Sequence, residues 1–180
     1  DVEDSKVRTK EKLNEYKKTG KFKMENPVFE DELVRVYSNI RETDFNQPNL
    51  ASLVQNVLKQ LNDGDYLAIN AFLPRNDEME KKLQAFRKTI LSKTNKPSTL
   101  GFGPRFLHST GQIHKGGPDS GVFIQIVHPF NQEVEIPEMG ISFNNLHIAQ
   151  SLGDYEALLN RKRRIVRIEF KKLELEKLWK

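Results

Sequence analysis

The chain has 180 residues, of which 37% are hydrophobic and 30% charged, and its mean hydropathy is -0.65. That composition is enough for one folded core and excludes wholesale disorder, while no apolar stretch reaches the roughly 20 residues of a membrane-spanning helix. Cysteine is absent, which excludes disulfides and thiolate metal sites and fits a cytoplasmic setting, and the first residues lack the apolar segment of a signal peptide.

The basic charge is confined to the end of the chain. Residues 161–180 hold nine Lys or Arg against three Glu, whereas residues 1–160 carry 20 basic and 22 acidic groups. The basic RKRR segment (161–164) has no interleaved aromatic residues, which a nucleic-acid surface would need. The sequence therefore predicts neither a nucleic-acid partner nor a membrane partner.

The first half of the chain alternates helix and strand patterns. A charge-rich, exposed helix is predicted to about Lys18, followed by a short strand at VRVY (34–37). Apolar residues then recur at helical spacing from Leu50 to Leu61, and the apolar run YLAINAFL (66–73) is typical of a strand buried on both faces. Asn76 is predicted to cap the next helix.

The second half continues the alternation. Strands are predicted at STLGFG (98–103), VFIQIV (122–127) and IVRIEF (165–170), with one or two helices in residues 142–159. The pattern predicts an α/β fold: a single three-layer domain with a mainly parallel sheet flanked by helices, plus the N-terminal charged helix. We divide the chain into residues 1–40 (helix and connection), 41–170 (α/β domain) and 171–180 (charged tail).

The chemistry is concentrated in residues 101–121, GFGPRFLHSTGQIHKGGPDSG. This segment, predicted as a loop, holds six of the ten glycines and two of the four histidines, and its only acid is Asp119. In parallel sheets ligands bind beyond the carboxyl ends of the strands, where this segment begins. Its composition suits a phosphorylated or polyhydroxylated ligand, although a glycine-rich surface turn would have the same composition.

Several side chains of this segment are candidates for ligand contacts. Arg105 and Lys115 could bind an anion or serve a structural or solvated role, and Ser109 and Thr110 could bind a hydroxyl or form a turn. His108 and His114 are six residues apart, which is not the spacing of a helical metal pair, so no metal site and no cofactor are predicted. His128 and His147 are expected to be structural.

The same segment carries a resemblance. LHSTGQIHKGGP, with His108 and Gln112, resembles the LHSxGQ element of glucose-6-phosphate isomerases, and the longer string is similar to the C-terminal part of bacterial bifunctional transaldolase/glucose-6-phosphate isomerases. The similarity covers roughly residues 60–170 and implies a domain like those of sugar isomerases. It further implies that His108 opens the sugar ring across a dimer interface and that Gln112 orients it or contacts substrate.

A second match lies at the start of the chain. DVEDSK fits the end of the family signature F-D-Q-P-x-V-E-x-x-K, whose Lys assists near the ring oxygen, and it places that Lys at Lys6. A solvated helix lysine is the alternative. The glutamate base, the phosphate loop and the activating arginine of the family belong to upstream segments whose motifs are not recognisable here.

These observations predict a C-terminal fragment of a glucose-6-phosphate isomerase that is inactive alone. Its expected partners are a sugar phosphate, the remainder of the isomerase chain and a second copy. The alternative is a non-catalytic module of the same fold that binds a sugar phosphate or mediates dimerisation.

Overall fold

Eight strands are present in residues 2–41, 43–130 and 133–180, the part of the chain that the computed structural model describes. They are β1 (Phe29–Glu30), β2 (Val34–Ser38), β3 (Tyr66–Phe72), β4 (Ser98–Phe102), β5 (Gly121–Val127), β6 (Glu135–Ile136), β7 (Ile141–Ser142) and β8 (Arg164–Phe170). Six of them form one sheet in the order β1-β2-β8-β5-β3-β4, and β6 pairs with β7. Strands β8, β5, β3 and β4 are parallel, whereas β2 is antiparallel to β8 and β1 to β2.

Helices cover both faces of this sheet. They are α1 (Val2–Thr19), α2 (Leu50–Leu58), α3 (Asp77–Thr94), α4 (Thr110–Gly116) and α5 (Phe143–Asn160), with short 3-10 helices at Arg105–His108 and Leu175–Leu178. The mainly parallel sheet and its flanking helices confirm the predicted fold class. None of the helices in the described ranges has the length and apolar content needed to cross a membrane.

Alternate residues of the central strands face different helices. Ile69, Ile124 and Ile168 belong to a core beneath α2 and α3. Ala68, Phe123 and Ile165 belong to a separate core together with residues of α5. Both faces of β3, β5 and β8 are therefore buried, as the apolar run in residues 66–73 predicts.

The N-terminal helix is not the freely exposed element that its charge suggests. α1 lies along α5, and the two backbones approach closely at Gly153: a Cβ built there would lie 2.8 Å from the Thr9 hydroxyl and 3.0 Å from the Ser5 carbonyl oxygen. Ser5 is buried at this crossing. Because only a residue without a side chain fits, Gly153 determines where α1 rests on the domain.

The predicted divisions at residues 40 and 170 also need correction. Strand β2 pairs with β8 and so belongs to the main sheet, and the last ten residues are not a free charged tail. Leu175 and Leu178 are buried against the α2–α3 core, and the Trp179 ring stacks on Phe86 with 5.7 Å between ring centroids. The helix α1 and the segment that holds Leu175, Leu178 and Trp179 are therefore both packed onto the α/β domain.

Candidate functional site

The chain leaves β4 through a 3-10 helix that has one buried and one open side. Phe106 and Leu107 point inward and pack with Phe72 of β3 and Val127 of β5. Arg105 and His108, at the two ends of the same short helix, are exposed. The predicted loop 101–121 therefore begins as an anchored helical turn that presents these two side chains.

The glycines before this turn serve packing. A Cβ at Gly103 would lie 2.5 Å from the Phe72 ring, and one at Gly101 would lie 2.8 Å from the Cβ of Phe106. Both positions must stay small for the aromatic residues to close the end of the sheet. These two glycines therefore make room for the aromatic rings beneath the site. The composition alone suggests a different role, in which the glycine backbone comes close to a ligand.

Lys6, Arg105 and His108 line one cleft of about 450 Å³ between α1 and the 3-10 helix. Lys10, one turn further along α1, and Gln150 of α5 also line it. Among the described residues no carboxylate lines this cleft. Several cationic groups without lining acids make it suited to an anionic ligand.

The local contacts of Lys6 leave it largely open. Its ammonium lies 3.4 Å from the Glu3 carboxylate, one turn earlier on α1, and the Lys6 side chain is 60% exposed. An exposed pair of this kind holds its partners weakly. Lys6 can therefore turn from Glu3 toward a ligand in the cleft at little cost.

Three further predicted residues lie beside the cleft without lining it. Gln112 is exposed on α4, and its amide donates to the main-chain oxygen of His108 at 3.3 Å, so it supports the turn. Ser109 donates weakly to the Phe106 carbonyl oxygen at 3.4 Å, and Thr110 is the exposed first residue of α4. The structure therefore groups Lys6, Arg105 and His108 and leaves Ser109, Thr110 and Gln112 outside.

The sequence predicts that Lys115 either binds an anion or is solvated, and the structure shows that it does neither. Its ammonium lies 2.7 Å from Asp154 of α5, and both side chains are 1% exposed. Burial raises the pKa of Asp154, while Lys115, Gln125 and Asn70 act to lower it. Lys115 is therefore a structural ion-pair partner and lies outside the candidate site.

Asp154 connects Lys115 to a row of polar residues that crosses the sheet beneath α5. Asn70, Gln125 and Arg167 occupy neighbouring register positions on β3, β5 and β8. The Gln125 amide donates to Asp154 at 3.2 Å, and the Arg167 guanidinium donates to Gln125 and to the Ser151 hydroxyl. All three row residues are fully buried, so the row is internal structure and no part of an open site.

Of the remaining histidines, His114 and His147 are buried and His128 is half-buried. His114 is 4% exposed and packs against Phe123 with 5.1 Å between ring centroids, and burial lowers its pKa to about 4. His147 contacts the Phe72 carbonyl oxygen and His128 contacts that of Phe170. Within the described ranges no three His, Asp or Glu side chains are grouped to hold a metal ion.

The basic C-terminal segment is largely engaged within the fold. Five of its nine basic residues form ion pairs, namely Arg163, Arg164, Arg167, Lys171 and Lys172. Arg163 also donates to the main-chain oxygens of Lys115 and Gly117, so it fastens the end of α4. Its role in RKRR is therefore structural.

Comparison with known proteins defines the class of this chain by its fold. No protein-family model and no curated protein matches it. Among solved structures, it is similar to the crystal structure of a hypothetical protein from Thermus thermophilus, with a TM-score of 0.57 and 15% sequence identity. The similarity covers 72% of this chain and 35% of that one, so this chain spans well under half the length of that protein. At this identity the match shows the fold alone, an α/β domain with a mainly parallel sheet.

Sequence reasoning missed Lys10 and Gln150 in the cleft. Lys10 follows Lys6 at the i, i+4 spacing that places two helix residues on one face, so its presence beside Lys6 could have been inferred. Gln150 carries no such signal, because it reaches the cleft only through the packing of α5 against α1. Asp1, the first residue of the DVEDSK match, lies outside the described residues.

Proposed function

We propose that this chain is the C-terminal, histidine-bearing part of a cytoplasmic glucose-6-phosphate isomerase and acts together with the rest of that enzyme. The cleft lined by both Lys6 and His108 is the observation that carries the proposal. Two separate sequence matches name these residues, and their meeting in one cleft supports both matches. Arg105 and Lys10 add the positive charge that a sugar phosphate would require.

Ring opening of the sugar needs one group to accept a proton and another to donate one. The proton leaves the hydroxyl on C1, the bond between C1 and the ring oxygen breaks, and the ring oxygen gains a proton. His108 is suited to exchange the proton, since an imidazole can act as acid or base near neutral pH, and Lys6 would assist at the ring oxygen. This step leaves the number of protons unchanged.

The second step of the isomerisation requires a carbon base in addition to the groups used for ring opening. Moving the proton from C2 to C1 through an enediol is the work of a carboxylate in the family that the sequence resembles. No carboxylate lines the cleft in the described part of the chain. We therefore expect the isolated chain to bind glucose 6-phosphate without converting it.

A titration of the isolated chain with glucose 6-phosphate, followed by NMR at the His108 ring, tests binding. We expect a saturable shift of the His108 resonances. Lys6→Met should weaken binding by about tenfold, because one charge-assisted contact is lost. Lys18→Met, a matched change on the exposed end of α1, should leave the affinity unchanged. Unaltered His108 resonances throughout the titration, or turnover by the isolated chain, would contradict the proposal.

The absence of a lining carboxylate among the described residues also favours the alternative of a non-catalytic sugar-phosphate-binding or dimerisation module. Mixing the chain with the purified upstream part of the isomerase distinguishes the enzyme fragment from the non-catalytic module. Restored activity with the parent chain and none with His108→Ala supports the enzyme fragment. Sugar-phosphate binding without restored activity supports the module.

A further inference from the structure

The order of strands creates a crevice beside the Lys6–His108 cleft. From β3 the chain passes through α3 to β4, and from the neighbouring β5 it passes through α5 to β8, on the other side. Because α3 and α5 lie on opposite faces of the sheet, the segments leaving β3 and β5 diverge at their carboxyl ends. Such a reversal point is where parallel α/β sheets bind ligands.

A second cleft, of about 470 Å³, lies at this reversal point. It is formed by the ends of β3 and β4, by Phe130 after β5 and by the first two turns of α5. It shares Pro104, Arg105 and Gln150 with the Lys6–His108 cleft, while Arg75 and Phe143 belong to it alone. The two clefts are therefore adjacent but separable by mutation.

The charge of this second cleft is unbalanced. Arg75 and Arg105 both line it, and neither takes part in an ion pair among the described residues. The Arg75 guanidinium lies 5.6 Å from the centroid of the Phe102 ring, which holds it at the rim of the cleft. Two such guanidinium groups at one opening provide a place for an anion.

Apart from His147 and Gln150, the rest of the described lining is apolar or aromatic. Phe143 is 53% exposed, and the Phe130 ring packs on His147 with 4.4 Å between ring centroids. His147 is itself bound to the Phe72 carbonyl oxygen. No carboxylate and no hydroxyl side chain lines the cleft among the described residues, so the cleft offers few groups for the hydroxyls of a sugar.

We propose that this reversal-point cleft binds an organic phosphate or carboxylate whose body is a flat, apolar ring. The anion lies between Arg75 and Arg105, and the ring lies against Phe143 and Phe130. This ligand class differs from the polyhydroxylated substrate of the Lys6–His108 cleft. The inference does not depend on the proposed isomerase function.

Isothermal titration of the chain with phenyl phosphate, inorganic phosphate and phenol tests the proposal. Phenyl phosphate should bind at least about tenfold more tightly than either of the other two compounds, since only it satisfies both the cations and the ring surface. Arg75→Gln should weaken the binding of both phenyl phosphate and inorganic phosphate by about tenfold. Phe143→Ala should weaken the binding of phenyl phosphate and leave that of inorganic phosphate unchanged.

Arg161→Gln is the matched control, because Arg161 is exposed at the opposite, amino-terminal edge of the parallel strands. It makes the same change in charge and should leave all three affinities within about twofold of the parent. Arg75 and Phe143 are both exposed, so their variants should unfold at the parent's denaturant concentration. Phenyl phosphate binding that is absent at millimolar concentration, or equal in Arg75→Gln and the parent, overturns the proposal.

The same titrations separate this site from the isomerase cleft. Lys6→Met should leave phenyl phosphate binding intact, and Arg75→Gln should leave the His108 response to glucose 6-phosphate intact. If Lys6→Met abolishes phenyl phosphate binding, the anion occupies the Lys6–His108 cleft and the proposed second site is wrong.

Discussion

Lys115 and Asp154 have opposite charges that are removed from water together. The pair is 2.7 Å apart, and Asp154 receives a further hydrogen bond from Gln125. Lys115→Met leaves the carboxylate buried without its cation, and we expect it to lower the free energy of unfolding by about 3 to 5 kcal/mol. Urea unfolding at neutral pH measures this loss.

The paired variant Lys115→Met, Asp154→Leu is the control for that experiment. Because it removes both charges, it should be less destabilised than Lys115→Met by more than about 1 kcal/mol. A Lys115→Met protein as stable as the parent would mean that the pair is open to water. In that case Lys115 would again be a candidate for ligand binding.

His114 predicts a dependence of stability on pH. Burial, with a smaller contribution from Lys115, lowers the pKa of His114 from 6.5 to about 4. Between these values the unfolded chain binds more protons than the folded one, so this contribution to stability is complete above pH 6.5 and is lost as the pH falls toward 4. From pH 7 to pH 5 the loss should be roughly 2 kcal/mol, and His114→Leu should remove it.

Denaturant unfolding at the two pH values tests this, together with the NMR titration of the His114 ring. The ring should remain neutral at pH 5, because neither ring nitrogen has a hydrogen-bond partner in the described residues and three aromatic rings surround it. Titration of this ring near pH 6.5 would refute the prediction.

At the scale of elements, the contact between α1 and α5 determines whether Lys6 reaches the cleft. Gly153→Ala would place a methyl group against the main chain of Ser5 and Thr9, which can move only if the helix moves. We expect a destabilisation of about 1 to 3 kcal/mol, and faster amide exchange confined to α1. The same substitution should also weaken glucose 6-phosphate binding, because α1 carries Lys6.

Gly116→Ala provides the comparison for Gly153→Ala. Gly116 is also in a helix, but a Cβ there would meet no atom within 4 Å. It should leave stability and amide exchange in α1 unchanged. Equal effects of the two substitutions would show that helix packing at Gly153 is not the cause.

The elements also show which part of the fold is readable from sequence. Asn76 caps α3 by accepting from the Met79 amide at 2.9 Å, as its position before an acidic first turn predicts. Signals of this kind are local. The burial of Lys115 depends on Asp154, far away in sequence, and the packing of α1 depends on the small size of Gly153. Neither partner is recognisable from its own neighbours in the chain.

In the candidate site, too, residues with a local sequence signal were predictable and residues placed by the fold were not. His108 and Lys6 were predicted because each lies in a recognisable motif, and the structure places both in one cleft. Arg75 was not predicted as a site residue, because nothing around it in the sequence marks it. Its position becomes meaningful only when β3 and β4 are side by side.

At the scale of the whole molecule, the C-terminal residues cover the core between the sheet and helices α2 and α3. Leu175 is 1% exposed, so Leu175→Ala should lower the free energy of unfolding by about 2 to 4 kcal/mol. Trp179 is the single tryptophan, and its stacking on Phe86 makes its fluorescence a report on this closure. Fluorescence and circular dichroism should therefore give the same unfolding curve.

Leu91→Ala is the matched control, since Leu91 is 54% exposed, and it should change stability by less than about 0.5 kcal/mol. A fluorescence transition that precedes the circular dichroism transition would show that the last residues detach independently. The predicted division at residue 170 would then be restored.

The buried polar row also limits how the parallel strands can align. Strands β5 and β8 are rich in Ile and Val, which would accept several alignments. A shift of β8 by one residue would turn Arg167 into the apolar core beneath α2 and α3, because side chains alternate between faces. A shift by two would set its guanidinium opposite Phe123 or Val127, where it would lose Gln125 as its partner. Arg167 and Gln125 therefore define the register, since the native alignment pairs the guanidinium with the Gln125 amide oxygen and the shifted alignments leave it only the Glu169 carboxylate of its own strand.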